Sequence, residues 1–479
     1  MARAMGLTPA FLQLARQMIA ANTVSRNGTL GAAAVLQPLW EHAGLEVRRQ
    51  VVDQIHVNLL AGPGGEASGP GGVLLVTHLD TVPAGPGWQT DPWTLTEKDG
   101  FFFGLGVADV KLDALCKAEA ARRMQGRECK RPFWLLGTFG EEVGLRGARH
   151  FAQSELFREV APSQVLCGEP SELQIIHAHK GYAVVRCTVR DLKARLVSSA
   201  GPGVEEVHFK GLAAHSSTPQ LGVNAIRKAL AWAKSSGTPV VAARGGTSSN
   251  VVPASCTLLV PTPRDKGEPA PDEVEFFPAR PPSPNLWRAL ATASALEELW
   301  QETLPHGADP RFDPPGSVGG LNVLTSAEAP AAAPDAVYGE GAIELQLDAR
   351  LLPNQDPDAL LRDFTARAQA WVAQLGGGEL TLEIEVTRNA GGMALEEDAP
   401  LVRSAAAVLA RHGREGKPRA KPTSTEAGVF ARAGCEAIVF GPGRSTGNAH
   451  TANERIEMAQ LEQACDLYES LLVELCSCT

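Results

Sequence analysis

Seven ionisable residues fall where buried segments have just ended, and their types suit metal-assisted hydrolysis. "VLLVTHLDTVPAG" closes an apolar run with His78 and Asp80, and "GVADVKLD" places Asp109 after a glycine-rich turn. "GTFGEEVG" carries Glu141 and Glu142, "CGEPS" carries Glu169, and "GNAHTANE" carries His450. Side chains alternate along an extended chain, so His78 and Asp80 share a face. A carboxylate beside an imidazole fixes its tautomer and raises its basicity, as a metal-ligating histidine requires. Each group alone has an ordinary use. Asp109 could cap a helix, the paired glutamates could be a solvated face, and Glu169 and His450 could be turn and loop residues. Together, two histidines and three carboxylates fit a pair of borderline divalent metals with one carboxylate bridging. Glu141 and Glu142 project in different directions, so one can ligate while the other faces the attacking water. Asp80 then reads as the orienting partner of His78.

Such a site needs strands that end side by side, because ligands in α/β sheets collect beyond the carboxyl ends of the strands. The pattern supplies them. Helical spacing over Phe11–Ala21, Gly31–Ala43 and Asp109–Met124 alternates with strand-like runs at Val73–Thr77, Pro132–Phe139 and Ser163–Gly168. That alternation predicts an α/β domain with a mixed, largely parallel sheet. From Gly181 the character changes to strands and helices with hairpin-like connections. "YAVVRCTVR" and "VEEVHFKG" read as strands, Val223 to Lys234 as a helix, and "IELQLDARLL" and "LTLEIEV" as further strands. We therefore expect catalytic halves at 1–180 and 387–479, flanking an inserted α+β lid and dimerisation domain at 181–386. Residues 261–315 read as an embellishment of that domain, with one helix in "NLWRALATASALEELWQETL" behind a flexible proline-rich leader.

Composition narrows the partners. A net charge of −10 leaves no basic excess to displace counterions from nucleic acid or to seat on anionic lipid. No apolar run is long enough to span a bilayer, and the opening residues read as an amphipathic helix starting at Thr8-Pro9. Nine scattered cysteines without zinc-finger spacing suggest a reduced, cytoplasmic chain.

The order of these stretches, with "HKGYAVV" and "AAHSSTPQLGVNAI" between them, resembles the co-catalytic zinc metallopeptidase family of aminoacylase, acetylornithine deacetylase, succinyl-diaminopimelate desuccinylase and glutamate carboxypeptidase. The resemblance runs over nearly the whole chain except 261–315, and "HKG", "HSSTP" and "TSTEAGVF" lean toward acetylornithine deacetylase. It implies two zinc ions, with cobalt or manganese as alternatives, held by His78, Asp109 and Glu169 and by Asp109, Glu142 and His450. It implies Glu141 as general base, His215 as oxyanion donor reaching a neighbouring subunit's site in a homodimer, and hydrolysis of an N-acyl amino acid. Arg350, which ends a strand, is the expected binder of the substrate carboxylate, with Arg264 as rival because it follows "NVVP" at close to the usual spacing. An arginine fork suits a carboxylate bidentately. Asn250 in "NVVP" is the expected polar contact, with "LNVL" as a competing segment. Leu112 stands where the family commonly has glycine, which puts the local turn in question. The alternatives are a dipeptidase or carboxypeptidase with the same site, and a metal-binding scaffold without catalysis. A scaffold has no need of Glu141.

Overall fold

The computed structural model describes residues 7–64, 71–197, 203–261, 273–278, 283–326, 338–376 and 378–478. Two compact units emerge, one made of Met1–His179 with Gly392–Thr479 and the other of Lys180–Gly391. The first unit is a mixed α/β domain. Its nine-stranded sheet runs, from one edge, through Glu46–Val51, Val57–Gly62, Phe133–Thr138, Val73–His78, Gln164–Gly168, Glu436–Val439, Ile176–His179 and Met393–Ala394, with Arg419–Lys421 also on Ile176–His179. Val73–His78 pairs in parallel with both Phe133–Thr138 and Gln164–Gly168, and Gln164–Gly168 pairs in parallel with Glu436–Val439. Four successive strands therefore end at one side of the sheet.

Valine and leucine fill these strands because both faces are covered. Leu75 and Leu135 point into one core with the helices Leu30–His42, Lys111–Arg123 and Met458–Cys476. Their neighbours Leu74, Val76, Trp134 and Leu136 point into a second core with Phe151 and Phe430. The start of the first helix is as read from the sequence: the Thr8 hydroxyl accepts the Phe11 amide at 3.2 Å, and Pro9 begins the helix. Leu112 is fully buried in the Lys111–Arg123 helix, so the larger side chain there fills core rather than disrupting it.

One feature departs from the reduced chain read from the sequence: Cys129 and Cys478 are disulfide-bonded, and the other seven cysteines are buried thiols. The cause is the path of the tail. The Lys130 and Arg131 amides donate to the Cys476 carbonyl at 3.0 and 3.2 Å, laying residues 129–131 against the end of the last helix. Among the described residues no helix is long and apolar enough to cross a membrane.

The second unit is α+β. Its long sheet runs through Glu273–Pro278, Gly203–Lys210, Ser255–Pro261, Ala242–Gly245, Val318–Ser326, Tyr338–Leu351 and Gly181–Val197, with Ser283–Pro284 and Leu380–Ala390 both bonded to the last of these. Val318–Ser326, which contains the competing "LNVL" segment, is an internal strand of this sheet. The helix in the proline-rich stretch is present as Trp287–Thr303, and it is core rather than embellishment. Ala289, Ala293, Leu296 and Trp300 face inward, Trp300 meets Phe364 edge-on at 4.8 Å, and its indole donates to the Asp348 carbonyl at 2.6 Å. Much of the proline-rich leader, including Arg264, lies outside the described residues. Trp300→Ala should cost about 3–5 kcal/mol through the cavity it leaves, measured by denaturant unfolding. An effect under about 1 kcal/mol would return this helix to the status of surface ornament.

Candidate metal centre

The four parallel strand ends carry the site. His78 is the last residue of its strand, Glu141 and Glu142 follow Phe133–Thr138, Glu169 follows Gln164–Gly168, and His450 lies in the loop after Glu436–Val439. Asp109 comes from the turn before the Lys111–Arg123 helix, and its peptide bond to Val110 is cis. The two oxygens of Asp109 divide between the histidines: Oδ1 lies 3.1 Å from His78 Nε2, and Oδ2 lies 3.3 Å from His450 Nε2. Glu142 Oε1 is 2.9 Å from His450 Nε2, and Glu169 Oε1 is 3.9 Å from His78 Nε2. Asp109, Glu142 and His450 each place a donor atom within 4.8 Å of the others, and so do His78, Glu141 and Glu142.

The electrostatics follow from the crowding of carboxylates around the two imidazoles. Burial opposes a proton on His78, yet the Asp109 hydrogen bond and the charges of Glu141, Asp109 and Glu169 hold its pKa well above the ordinary imidazole value. His450, also partly desolvated, is pushed up to about 11 by Glu142 and Asp109. Burial would raise Asp109, but hydrogen bonds from His450 and His78 hold it far below the usual carboxylate range. Burial and the Asp109 charge raise Glu169 to about 7. Two imidazoles set among clustered carboxylates are a donor set that divalent cations would take. The residues present fit such a group, and Asp109 has the geometry of a bridge.

The supports are where sequence and structure part. His78 Nδ1 meets the Asp80 backbone carbonyl at 3.0 Å and lies 3.8 Å from the Asp80 carboxylate. That carboxylate also accepts the Glu141 amide at 2.9 Å, the Glu142 amide at 3.3 Å and the Ser25 hydroxyl at 2.7 Å. It fixes the turn that carries both glutamates. Glu454, which the sequence reading passed over within "NAHTANE", accepts the Gly106, Ala108 and Asp109 amides at 3.0, 2.8 and 3.0 Å. It pins the turn that presents Asp109. Asn448 ties the His450 loop by donating to the Arg444 and Arg455 carbonyls and accepting the Arg455 amide, each at 2.9 Å. His450 itself sits in the left-handed region at φ 60°, a strain that clusters at functional sites. Gly168 explains the "CGEPS" signature, since a Cβ there would come within 2.0 Å of the Asp113 carboxylate behind the strand.

The other expected residues belong to the second unit. His215 pairs opposite Val251 in a two-stranded ribbon, and its Nδ1 meets the Ser217 hydroxyl at 2.7 Å and the Ser217 amide at 3.1 Å. The Asn250 carbonyl accepts the Ser216 amide at 2.8 Å, and its side-chain oxygen accepts the Ser248 hydroxyl. Arg350 is buried, with its guanidinium 3.5 Å from the Tyr182 ring centre and donating to the Ser216 hydroxyl at 3.1 Å. The competing asparagine, Asn322, is also buried and donates to Asp348 Oδ1 at 2.9 Å and to the Ser249 carbonyl at 2.7 Å.

Comparison with known proteins agrees with this architecture. Residues 74–474 match the model of peptidase family M20/M25/M40. An acetylornithine deacetylase from Vibrio vulnificus is 37% identical over 227 residues, which are 46% of this chain and 53% of that protein, so the alignment spans about half the length of that relative. The aminoacylhistidine dipeptidase of Vibrio alginolyticus shares the fold over 98% of this chain and 97% of its own, with a TM-score of 0.63 and 17% identity. The YXEP protein of Bacillus subtilis, a dinuclear metal binding peptidase, shares it over 98% and 99%, with a TM-score of 0.55 and 11% identity.

The support given by Glu454 is testable without an assay of turnover. Glu454→Gln turns one of its acceptor oxygens into a donor facing backbone amides. Affinity for zinc, measured by competition with a chromogenic chelator, should fall about 10–100-fold. An unchanged affinity would mean that the Asp109 turn is held by other contacts.

Proposed function

Because the chain belongs to peptidase family M20/M25/M40, we propose that it hydrolyses the amide bond of an N-acyl amino acid, in the manner of an acetylornithine deacetylase. The observation that carries this reading is the division of Asp109 between His78 and His450 at 3.1 and 3.3 Å, with Glu141 and Glu142 alongside. A carboxylate so placed serves two ions at once. In this reading His78, Asp109 and Glu169 would hold one divalent ion, zinc in the first place, and Asp109, Glu142 and His450 would hold the other. Bound metal supplies polarisation of the scissile carbonyl and acidification of the attacking water.

The chain's own groups do the rest. Glu141, held by Asp80 through its backbone amide, takes the water's proton and passes it to the leaving amine. His215 donates to the oxyanion. Arg350 takes the substrate's α-carboxylate through its planar fork, with asparagine, Asn250 or its rival Asn322, as the neighbouring polar contact.

A dipeptidase is the second reading, favoured by the likeness of fold to an aminoacylhistidine dipeptidase along almost the entire chain. A metal-supplemented turnover screen of acetylated, succinylated and dipeptide substrates, led by N-acetylornithine, separates the two. Faster cleavage of dipeptides than of any N-acyl amino acid would overturn the deacylase reading.

Two substitutions test the assigned roles. Glu141→Gln should keep its metal, by elemental analysis, while kcat falls at least about 100-fold; His78→Ala and His450→Ala should lose metal instead. Normal turnover by Glu141→Gln would remove it as the base. Arg350→Ala should weaken binding of substrates with a free α-carboxylate by at least about tenfold, with esterified analogues much less affected. Equal losses for both would make Arg350 a structural residue.

A further inference from the structure

A short segment near the start of the chain, "ANTVS" (Ala21–Ser25), joins two turns of the metal centre that lie far apart in sequence. It follows the first helix and runs alongside the extension of the Val73–His78 strand. The Thr81 amide donates to the Thr23 carbonyl and the Ser25 amide to the Thr81 carbonyl, each at 3.0 Å. At one end, the Ala21 carbonyl accepts Lys111 Nζ at 3.0 Å. Lys111 is fully buried and belongs to the first turn of the helix that begins just after Asp109. At the other end, the Ser25 hydroxyl donates to Asp80 Oδ2 at 2.7 Å. That oxygen also accepts the Glu142 amide, while Oδ1 accepts the Glu141 amide. Five residues thus touch both the turn of the shared carboxylate and the turn of the paired glutamates.

The segment is fixed from outside as well. Ser25 is buried, and its carbonyl lies 3.1 Å from His56 Nε2, whose ring partner Nδ1 lies 2.7 Å from Asp53 Oδ2. Asp53 Oδ1 accepts the Ile55 and His56 amides at 2.9 and 2.8 Å, which sets the loop bearing the imidazole. Gly28 then crosses the Ile55 carbonyl at φ 76°, where a Cβ would come within 2.1 Å of that oxygen. Only glycine fits there. Of the three donors to the Asp80 carboxylate, two are amides that move with the glutamates themselves. Ser25 is the donor that comes from outside their turn, so it can define where the carboxylate sits. A hydroxyl bonded to a carboxylate is charge-assisted and suited to that task.

Resting on the function assigned above, we propose that Ser25 is a positioning residue of the hydrolytic site. It fixes the Asp80 carboxylate, and through it the Glu141–Glu142 turn. The Ala21–Ser25 segment, held at its other end by Lys111, gauges that turn against Asp109.

The test separates the hydrogen bond from the space the side chain fills. Ser25→Cys nearly keeps the size but offers only a weak donor, whereas Ser25→Thr keeps the hydroxyl. Affinity for zinc, measured by competition with a chromogenic chelator, should fall about tenfold in Ser25→Ala and Ser25→Cys. Ser25→Thr should stay within about twofold of wild type. Wild-type affinity in Ser25→Cys, or a Ser25→Thr as weak as Ser25→Ala, would overturn the proposal. On the N-acyl amino acid turned over fastest, zinc-saturated Ser25→Cys should lose about tenfold in kcat with KM little changed. The same substitution placed in Glu141→Gln should cost nothing further, because the base it positions is already gone. Equal losses in both backgrounds would overturn action through Glu141. If the wild-type chain hydrolyses no amide, the assigned function fails by itself, and the zinc series decides whether Ser25 sets the turn.

Discussion

Four carboxylates, Asp109, Glu141, Glu142 and Glu169, converge at the ends of buried strands, and like charges in so small a volume repel. The first unit is arranged around that constraint. Two imidazoles interleave the carboxylates, and the turns that bear them are anchored from behind by groups that never enter the cluster. Asp80 and Glu454 are themselves acidic, which would worsen the repulsion if they faced the centre. They accept three protein donors each, three backbone amides for Glu454 and two amides with the Ser25 hydroxyl for Asp80. Burial and, after it, the nearby Asp109 charge raise Glu454 to about 7 even so.

A second buried network keeps the strand ends themselves in place. Lys117, on the helix behind the sheet, is paired with Asp113 at 2.6 Å and donates to the Val76 carbonyl and the Thr77 hydroxyl at 2.6 and 2.8 Å. Asp113 also accepts from Thr77 and Tyr468. These contacts reach the residues just before His78 and the glycine just before Glu169. A buried ion pair with its remaining valences satisfied adds little net stability but penalises every displaced arrangement. At this position that rigidity fixes the separation of His78 and Glu169.

The parts of this design that show in the sequence are those written in local pattern. Apolar runs that stop at a histidine or glutamate announce parallel strands and what lies beyond them, so the fold class and the convergence of His78, Asp109, Glu142 and His450 could be read directly. Glu454 could not, although it lies four residues from His450, because an acidic loop residue gives no sign that it will bond amides some 350 positions away. Asp80 lies beside His78 as alternation implies, its carboxylate 3.8 Å from the ring, but its further contacts with the Glu141 and Glu142 amides left no local sign. In the second unit the helix of Trp287–Thr303 was legible but its place in the core was not, since periodicity measures a face and Trp300 needed the Asp348 carbonyl across the sheet to satisfy its indole. Nothing local to "HSSTP" or "LDAR" says that Ser216 and Arg350 will touch.

The discontinuity of the first unit poses a folding cost that the second unit reduces. His450 and Glu454 come from the last segment of the chain and must find Asp109 across the whole of Lys180–Gly391. Closing a loop of that length in a flexible chain is entropically unfavourable, and such non-local pairing slows folding. The two ends of the inserted unit, however, are strand partners: Tyr182 pairs with Ala390, and Ala183 with Asn389. Once that unit folds, its ends emerge side by side, and the loop the first unit has to close is effectively a few residues long. On the other side of the crossing, His179 pairs with Met393 and continues the same economy. Growth inside the insertion leaves these terminal pairs untouched. The strands and the Trp287–Thr303 helix between Gly203 and Ser326 therefore do not lengthen the path by which His450 returns to Asp109.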